Sequence, residues 1–271
     1  PPASGCLTRL PPSARMGPMP PLPAIIACLT DFGTQDGFAG IMKGVLADAA
    51  PSARPIDLTH EIPPGDIRQA SIRLWQAAPH MPKGTIFLAV VDPGVGTRRR
   101  AIALAWEQAQ AVGPDNGIFT HLVDLFGMPK AVQLNAIPDP HLRATFHGRD
   151  VFAPAAAALA AGASLESLGR PVDDLTLLPP EHLEVLSSGG IQGEVLFADH
   201  FGNLVTSIGV LEDAGSDLSL VPWVPTARPA RLPRTGLAAV LPDGRSIPVR
   251  TTFAEASAGE PLAYIGSDGL L

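Results

Sequence analysis

The chain has 271 residues, 46% of them apolar and 17% charged, so it can bury a sizeable core in one large domain or two smaller ones. A net charge of −7 and a pI of about 5.4 argue against sequence-independent binding to nucleic acid, which needs a basic surface. Two cysteines, Cys6 and Cys28, exclude a disulfide framework and favour a cytoplasmic location, and no apolar run reaches the roughly 18 residues of a membrane span. Residues 1–23 contain eight prolines and no periodicity, which predicts a disordered or extended tail.

Residues 24–185 alternate apolar, β-branched runs with stretches of helical spacing, a pattern typical of an α/β domain with a mostly parallel sheet. The run 85–91 is apolar or β-branched throughout, as in a strand that is covered on both faces. Strands are predicted over 24–30, 55–59, 85–91, 110–113 and 130–134, and helices over 37–50, 67–78 and 151–161.

Polar residues follow several of these strands. Asp31 and Asp36 come after the first, and Asp92 ends the run 85–91. Arg99 lies seven positions later, just before another apolar run, so the loop is expected to turn back and bring Arg99 near Asp92. Carboxyl ends of parallel strands are where open α/β sheets bind ligands. Taken singly, each aspartate is better explained as a turn former or a helix cap than as a site residue.

Two further loops of this domain contain a histidine. His147 stands just before the alanine-rich helix 151–161, where it is either an active-site group or a satisfied buried histidine. His60 and Asp66 lie in the loop before the helix 67–78, and we interpret them as loop and cap residues.

The pattern changes after the connection 175–188, where we place a domain boundary, giving domains over 24–185 and 186–271. Short alternating strands follow, which predicts a small antiparallel barrel or sandwich. The segment from Asp199 to Asn203 lies between the first two of them and is, by itself, a good hairpin turn. Strands are predicted over 191–199, 204–208, 237–241, 247–251 and 261–265.

Seven motifs, in this order, together resemble one family, the S-adenosyl-L-methionine (SAM) hydroxide adenosyltransferases or SAM hydrolases, which are related to fluorinase and chlorinase. The resemblance covers roughly residues 25–271. The motifs are T-D-F-G (30–33), G-I-M-K-G (40–44), T-H-E-I-P-P (59–64), V-D-P-G-V-G-T-R-R-R (91–100), P-D-N-G (114–117), F-H-G-R-D (146–150) and F-G-N (201–203).

The resemblance implies an amino-terminal α/β domain with a mostly parallel sheet, a carboxy-terminal antiparallel β-barrel, and a homotrimer with active sites between subunits. It implies in-line attack of water or hydroxide on the ribose 5′ carbon of SAM, giving adenosine and methionine. The sulfonium leaves as a neutral thioether, so neither a general acid, a metal nor a cofactor is needed, and positioning of the nucleophile dominates. SAM and adenosine are the expected ligands, with no nucleic acid and no membrane as partners.

The family's nucleophile-holding aspartate, arginine and histidine fall on Asp92, Arg99 and His147. Arg99 is expected to favour hydroxide character, Asp92 to orient Arg99 and accept a hydrogen bond from the water, and His147 either to complete the water's shell or to take its proton. In the halogenases the aspartate is replaced by a tyrosine and the histidine–glycine pair by other residues. A carboxylate beside the nucleophile would also repel halide ions.

The resemblance also implies substrate contacts. Asp31 matches the residue that holds both ribose hydroxyls, and Asp36 one near the methionine ammonium. Asp199 and Asn203, with Phe201 between them, match second-domain residues that reach the methionine amine and the adenine edge. Ser267 matches a serine at the methionine carboxylate.

Three departures from the family pattern stand out. Gly65 replaces an aromatic residue, Gly266 replaces an asparagine, and the sequence ends at Leu271, before the strand that normally contacts adenine, so we expect the second domain to be truncated. The alternatives are a halide-using adenosyltransferase, a non-catalytic protein that binds SAM or adenosine, and a structural trimer with a relict site. The preferred sulfonium epimer stays open; if the protein clears a damaged epimer, the unnatural configuration should turn over faster.

Overall fold

A computed structural model describes residues 23–135, 145–224 and 228–271. The tail predicted over 1–23 therefore lies, except for Pro23, outside the described residues. In the first domain the strands are β1 (Ile25–Thr30), β2 (Arg54–Thr59), β3 (Thr85–Val90), β4 (Ala101–Ala105), β5 (Ala109–Pro114), β6 (Lys130–Leu134) and β7 (Gly169–Pro171). The helices are α1 (Phe38–Ala49), α2 (Ile67–Ala77), α3 (Thr120–Phe126) and α4 (Ala153–Ala160). No helix in the described ranges is long and apolar enough to cross a membrane.

The strands of the first domain form one sheet in the order β2-β1-β3-β5-β4-β6-β7. The pairings of β1 with β2, β1 with β3 and β3 with β5 are parallel. The other three pairings are antiparallel, so the sheet is mixed and the expectation of a mostly parallel sheet holds only for its first half. The reason is the short connection between β4 and β5, which leaves no room for a crossover helix and forces the chain to reverse.

The β3 strand lies between β1 and β5 in the sheet, and all six of its residues are buried. Its side chains alternate between two cores, because successive residues of a strand point to opposite faces. Ile86, Leu88 and Val90 pack on the side of α1 and α4. Phe87 and Ala89 pack on the side of α2 and α3. The prediction of a strand covered on both faces is confirmed.

The second domain consists of short strands in separate small sheets. They are β8 (Leu183–Val185), β9 (Ile191–Gly193), β10 (Val195–Ala198), β11 (Leu204–Thr206), β12 (Leu211–Ala214), β13 (Asp217–Leu220), β14 (Ala230–Pro233), β15 (Ala238–Val240), β16 (Ser246–Arg250) and β17 (Ala263–Tyr264). The sheets are β8-β9, β10-β11, β12-β13-β14 and β15-β16-β17.

The expected closed antiparallel barrel is not formed by the described residues. Closure requires every strand to pair on both sides, whereas here the strands are two to five residues long and their pairing stops at the edge of each small sheet. One pair, β16 with β17, is also parallel. The hairpin predicted around residues 242–244 is confirmed, because β15 and β16 pair antiparallel across it.

The two domains meet along α2. Ile72 of α2 packs into a cluster with Leu183, Phe197 and Leu270. A charged network runs beside this cluster. Its contacts are Arg68 Nε to Glu181 Oε1 at 3.0 Å, Arg68 Nη2 to Glu194 Oε1 at 2.6 Å, and His121 Nε2 to Glu181 Oε2 at 3.0 Å. The carboxyl of Glu181 is almost fully buried, and although burial alone would raise its pKa, hydrogen bonds from His121 and Arg68 bring the pKa below its ordinary value.

Candidate active site

A cleft of about 350 Å³ opens where β1 and β3 end. These strands are parallel neighbours with Thr30 opposite Val90, so the residues that follow them emerge at one edge of the sheet. Asp31 follows β1, and Asp92 follows β3 by two residues; both line the cleft. His147 reaches the same cleft from the segment before α4. The sheet edge therefore brings together three of the predicted site residues.

Asp92 and Arg99 form a mostly buried ion pair. Arg99 Nε lies 2.9 Å from Asp92 Oδ1 and 3.0 Å from Oδ2, and Arg99 Nη2 also donates to Oδ2. The two side chains are 5% and 11% exposed for Asp92 and Arg99, respectively. The loop between them turns back as predicted, because β4 leaves it antiparallel to β5 and hence to β3.

The same guanidinium also contacts His147. Arg99 Nη2 lies 2.7 Å from His147 Nδ1, and arginine can only donate, so Nδ1 is the acceptor and the imidazole proton resides on Nε2. Burial and the neighbouring Arg99 charge lower the pKa of His147 below its ordinary value of 6.5. The histidine is therefore neutral at physiological pH, with an N–H available on its far nitrogen.

The backbone around His147 presents it to the cleft. A π-helical turn, Gly148–Phe152, follows it and leads into α4. The centroid of the Phe152 ring lies 5.2 Å from the Arg99 guanidinium carbon, so a cation–π contact helps to hold Arg99 in place. A Cβ on Gly148 would lie 3.0 Å from Phe32 Cζ, which explains why glycine stands here.

Asp31 is held by the loop between β2 and α2. Its Oδ2 accepts a hydrogen bond of 2.9 Å from Gly65 N. Gly65 has a φ of +76°, a conformation that side chains other than glycine rarely adopt, so its replacement of an aromatic residue fits the local backbone. Asp36 is exposed and does not line the cleft.

The second-domain candidates lie apart from this cleft. Asp199 sits in the turn between β10 and β11, where its Oδ1 accepts from Phe201 N at 2.8 Å and from Asn203 N at 2.9 Å. The turn thus has the hairpin geometry that the sequence favoured, and Phe201 at its tip is 85% exposed. Ser267 lines a separate cleft of about 430 Å³ between the domains. Within one chain, the predicted site residues therefore divide by domain, and those of the second domain do not line the Asp92 cleft.

Comparison with protein-family models assigns most of the chain. Residues 26–169 match the SAM hydroxide adenosyltransferase N-terminal domain, and residues 193–271 match the corresponding C-terminal domain. The chain belongs to the SAM hydroxide adenosyltransferase family. The first match contains Asp31, Asp92 and His147, and the second contains Asp199 and Ser267, so the two groups of site residues coincide with the two family domains.

Individual known proteins resemble the chain over most of its length. A Thermus thermophilus (R)-S-adenosyl-L-methionine hydrolase is 43% identical, over 90% of this chain and 88% of its own. A Salinispora tropica protein of the same name is 42% identical, over 90% and 87%. A fluorinase from Actinopolyspora mzabensis is more distant, at 28% identity over 91% and 89%. A solved structure of an uncharacterized conserved protein from Thermotoga maritima superposes with a TM-score of 0.74 at 32% identity, covering 90% of each chain.

Sequence reasoning missed two side chains at this family site. Phe152 was predicted only as part of a helix, and its contact with Arg99 depends on the π-helical turn, which no periodicity in the sequence indicates. His60 was interpreted as a loop residue, yet it is only 4% exposed. The one available signal was its place in the motif T-H-E-I-P-P. Asp66 is a helix cap as interpreted, since its Oδ1 accepts from Gln69 N.

Proposed function

We propose that this protein hydrolyses S-adenosyl-L-methionine to adenosine and L-methionine by in-line attack of water or hydroxide on the ribose 5′ carbon. The observation that carries the proposal is the Arg99 guanidinium bridging Asp92 and His147 at the cleft. The hydrolase names of relatives that are more than 40% identical support the same reaction. Because those names specify the R form, we further propose that the R sulfonium epimer is preferred.

The chemistry is a single displacement. The water oxygen forms a bond to C5′ while the C5′–S bond breaks, and the bonding electron pair stays on sulfur. The sulfonium charge is thereby lost and one proton leaves the attacking water, so the products are adenosine, neutral methionine thioether and a proton. No cofactor takes part in these steps. The protein must supply alignment and electrostatic stabilisation of the nucleophile.

Arg99, Asp92 and His147 would divide this task. The Arg99 charge favours hydroxide character in the nucleophile, and Asp92 fixes the guanidinium while its remaining lone pairs accept a hydrogen from the water. Since His147 Nδ1 accepts from Arg99, its Nε2–H would donate to the nucleophile's oxygen. Of the two roles predicted for His147, the tautomer favours completing the water's shell over taking its proton. The nearly buried Asp92 carboxylate would also repel a halide.

The substrate would lie along the cleft with its ribose hydroxyls at Asp31, whose carboxylate can accept two hydrogen bonds at once. Asp36, exposed at the start of α1, would face the methionine ammonium. Asp199, Phe201, Asn203 and Ser267 would then contact the methionine and adenine ends from a neighbouring subunit. The support for this is their separation from the Asp92 cleft within one chain and the 85% exposure of Phe201.

We therefore propose a homotrimer in which each site combines the first domain of one subunit with the second domain of the next. A complementation experiment tests this arrangement. Asp92→Ala and Asn203→Ala should each be nearly inactive alone. Co-expressed in equal amounts, they should form mixed trimers in each of which one of the three sites has both halves intact. Activity that does not recover in mixed trimers isolated by two affinity tags would contradict a shared site.

The reaction itself is tested by incubating the protein separately with each sulfonium epimer and measuring adenosine and methionine by chromatography. The R epimer should be turned over faster. Asp92→Ala and His147→Ala should reduce turnover about 10²- to 10³-fold, whereas Lys83→Met, which breaks only an exposed ion pair with Glu107, should not. Binding without adenosine release, or a chlorinated nucleoside formed in added chloride, would overturn the proposal.

A further inference from the structure

A buried pair of polar side chains, Thr30 and His60, lies behind the cleft and has no part in the proposed chemistry. Thr30 is fully buried and His60 is 4% exposed. Thr30 Oγ1 and His60 Nδ1 are 2.8 Å apart. Thr30 is the last residue of β1, immediately before Asp31, so the pair is located where it can control the direction in which Asp31 leaves the sheet.

Thr30 and His60 also hold the main chain that follows Asp31. Thr30 Oγ1 accepts a 3.2 Å hydrogen bond from Phe32 N, which closes a tight loop around Asp31. His60 O accepts a 2.7 Å hydrogen bond from Gly33 N. The main chain before and after Asp31 is therefore tied to one threonine and one histidine, and the Asp31 carboxylate itself is bound by Gly65 N.

The surrounding groups favour one direction for the hydrogen bond between Thr30 and His60, with the threonine hydroxyl as the donor. The polar atom facing His60 Nε2 is the carboxylate oxygen Asp57 Oδ1, which can only accept, so Nδ1 accepts the Thr30 hydroxyl hydrogen while Thr30 Oγ1 still accepts from Phe32 N. The imidazole proton is then on Nε2, which lies 3.1 Å from Asp57 Oδ1, although off the direction of a linear hydrogen bond. Lys43 Nζ lies 2.8 Å from Asp57 Oδ2. A chain of polar contacts thus extends from the surface to the residue next to Asp31.

We propose that Thr30 and His60 are positioning residues that orient the Asp31 carboxylate toward the two ribose hydroxyls of the substrate. The inference rests on the proposed function, in which Asp31 holds the ribose. A carboxylate accepts two hydroxyl donors at once only if its plane is fixed, and the contacts of Thr30 and His60 restrict the backbone from which it projects. Loss of the threonine hydroxyl would leave both Phe32 N and His60 Nδ1 without their partner.

The test measures how well the full-length protein distinguishes adenosine from 2′-deoxyadenosine, with the dissociation constants obtained by titration calorimetry. A hydrogen bond to a charged acceptor predicts that the wild type binds adenosine about 10- to 100-fold more tightly. Thr30→Val keeps the shape and removes the hydroxyl, and should reduce this ratio to about threefold or less. Thr30→Ser keeps the hydroxyl and should retain the ratio within about twofold. His60→Leu should behave like Thr30→Val, and His60→Asn, which keeps an acceptor, should be intermediate.

Thr85→Val is the matched control. Thr85 is also buried, and its Oγ1 donates to Pro82 O at 2.7 Å, but it lies at the opposite end of β3 from Asp92. It should lower the melting temperature as Thr30→Val does while leaving the adenosine to deoxyadenosine ratio unchanged. A ratio that falls equally in both variants would mean general destabilisation and would overturn the positioning role.

An Asp31→Asn variant distinguishes failure of the ribose contact from failure of the positioning role. It should bind adenosine and 2′-deoxyadenosine about equally. If Asp31→Asn keeps the wild-type ratio, the ribose contact assumed under the proposed function is wrong and the positioning role falls with it. If Asp31→Asn loses the ratio but Thr30→Val keeps it, the ribose contact stands and only the role of Thr30 and His60 is refuted.

Discussion

Breaking the Asp92–Arg99 pair should destabilise the fold as well as abolish activity. Both side chains are nearly buried, at 5% and 11% exposure, so removal of one charge leaves the other desolvated and unpaired. Breaking a buried pair in this way costs about 3–5 kcal/mol. We therefore expect Asp92→Asn and Arg99→Met each to lower the free energy of unfolding by about 3 kcal/mol, and the double variant to cost little more than either one.

The assay is a double-mutant cycle by urea denaturation at one fixed protein concentration, since association changes apparent stability. The predicted coupling energy between Asp92 and Arg99 is about 2–3 kcal/mol. The exposed pair Lys83–Glu107, whose Nζ and Oε1 atoms are 2.8 Å apart and whose side chains are 66% and 83% exposed, should give less than about 1 kcal/mol. Additive effects at Asp92 and Arg99, or single variants that cost under about 1 kcal/mol, would refute the reasoning.

Three further predictions follow from individual residues. His147 has a lowered pKa because burial and the neighbouring guanidinium disfavour its cation, so histidine NMR should show its midpoint below pH 6.5; a higher midpoint would contradict the neutral state assigned to His147. Gly148→Ala should cost about 1–3 kcal/mol in thermal melts and raise the KM, because the new Cβ would lie 3.0 Å from Phe32. The pKa of Glu181 is lower in the folded than in the unfolded chain, so its contribution to stability is present above about pH 4.5 and is lost as pH falls through the folded-state pKa. Glu181→Gln should therefore weaken the fall in the free energy of unfolding at acid pH. An unchanged fall would exclude Glu181 as its cause.

Local sequence patterns predicted the Asp92–Arg99 part of the site. The run 85–91 predicted a buried strand, and the apolar run after Arg99 predicted that the loop returns, both of which the structure confirms. The adjacency of Asp31 and Asp92 follows from β1 and β3 being parallel neighbours. His147 is different, because 48 positions separate it from Arg99 and no periodicity connects them. Its place was indicated by family resemblance alone.

The second domain was harder to predict from sequence. Its strands are short and half-exposed, so alternation indicates strands without indicating which of them pair. The strand pattern predicted a barrel or sandwich and the resemblance implied a barrel, whereas the described residues show separate small sheets. In the first domain, helix α3 was not predicted, since its seven residues give too few turns for a helical period. His60 lies in a loop as predicted, but its burial was not predicted, because a single polar residue between a strand and a loop carries no sign of it.

The central claim, attack of a water oxygen on the ribose carbon, is tested most directly by isotope labelling. Hydrolysis of S-adenosyl-L-methionine in ¹⁸O-enriched water should place one ¹⁸O atom in the 5′ hydroxyl of adenosine and none in methionine, as measured by mass spectrometry. The Asp92→Ala variant should give little labelled adenosine in the same time. Label in methionine, or adenosine formed without label, would contradict the account.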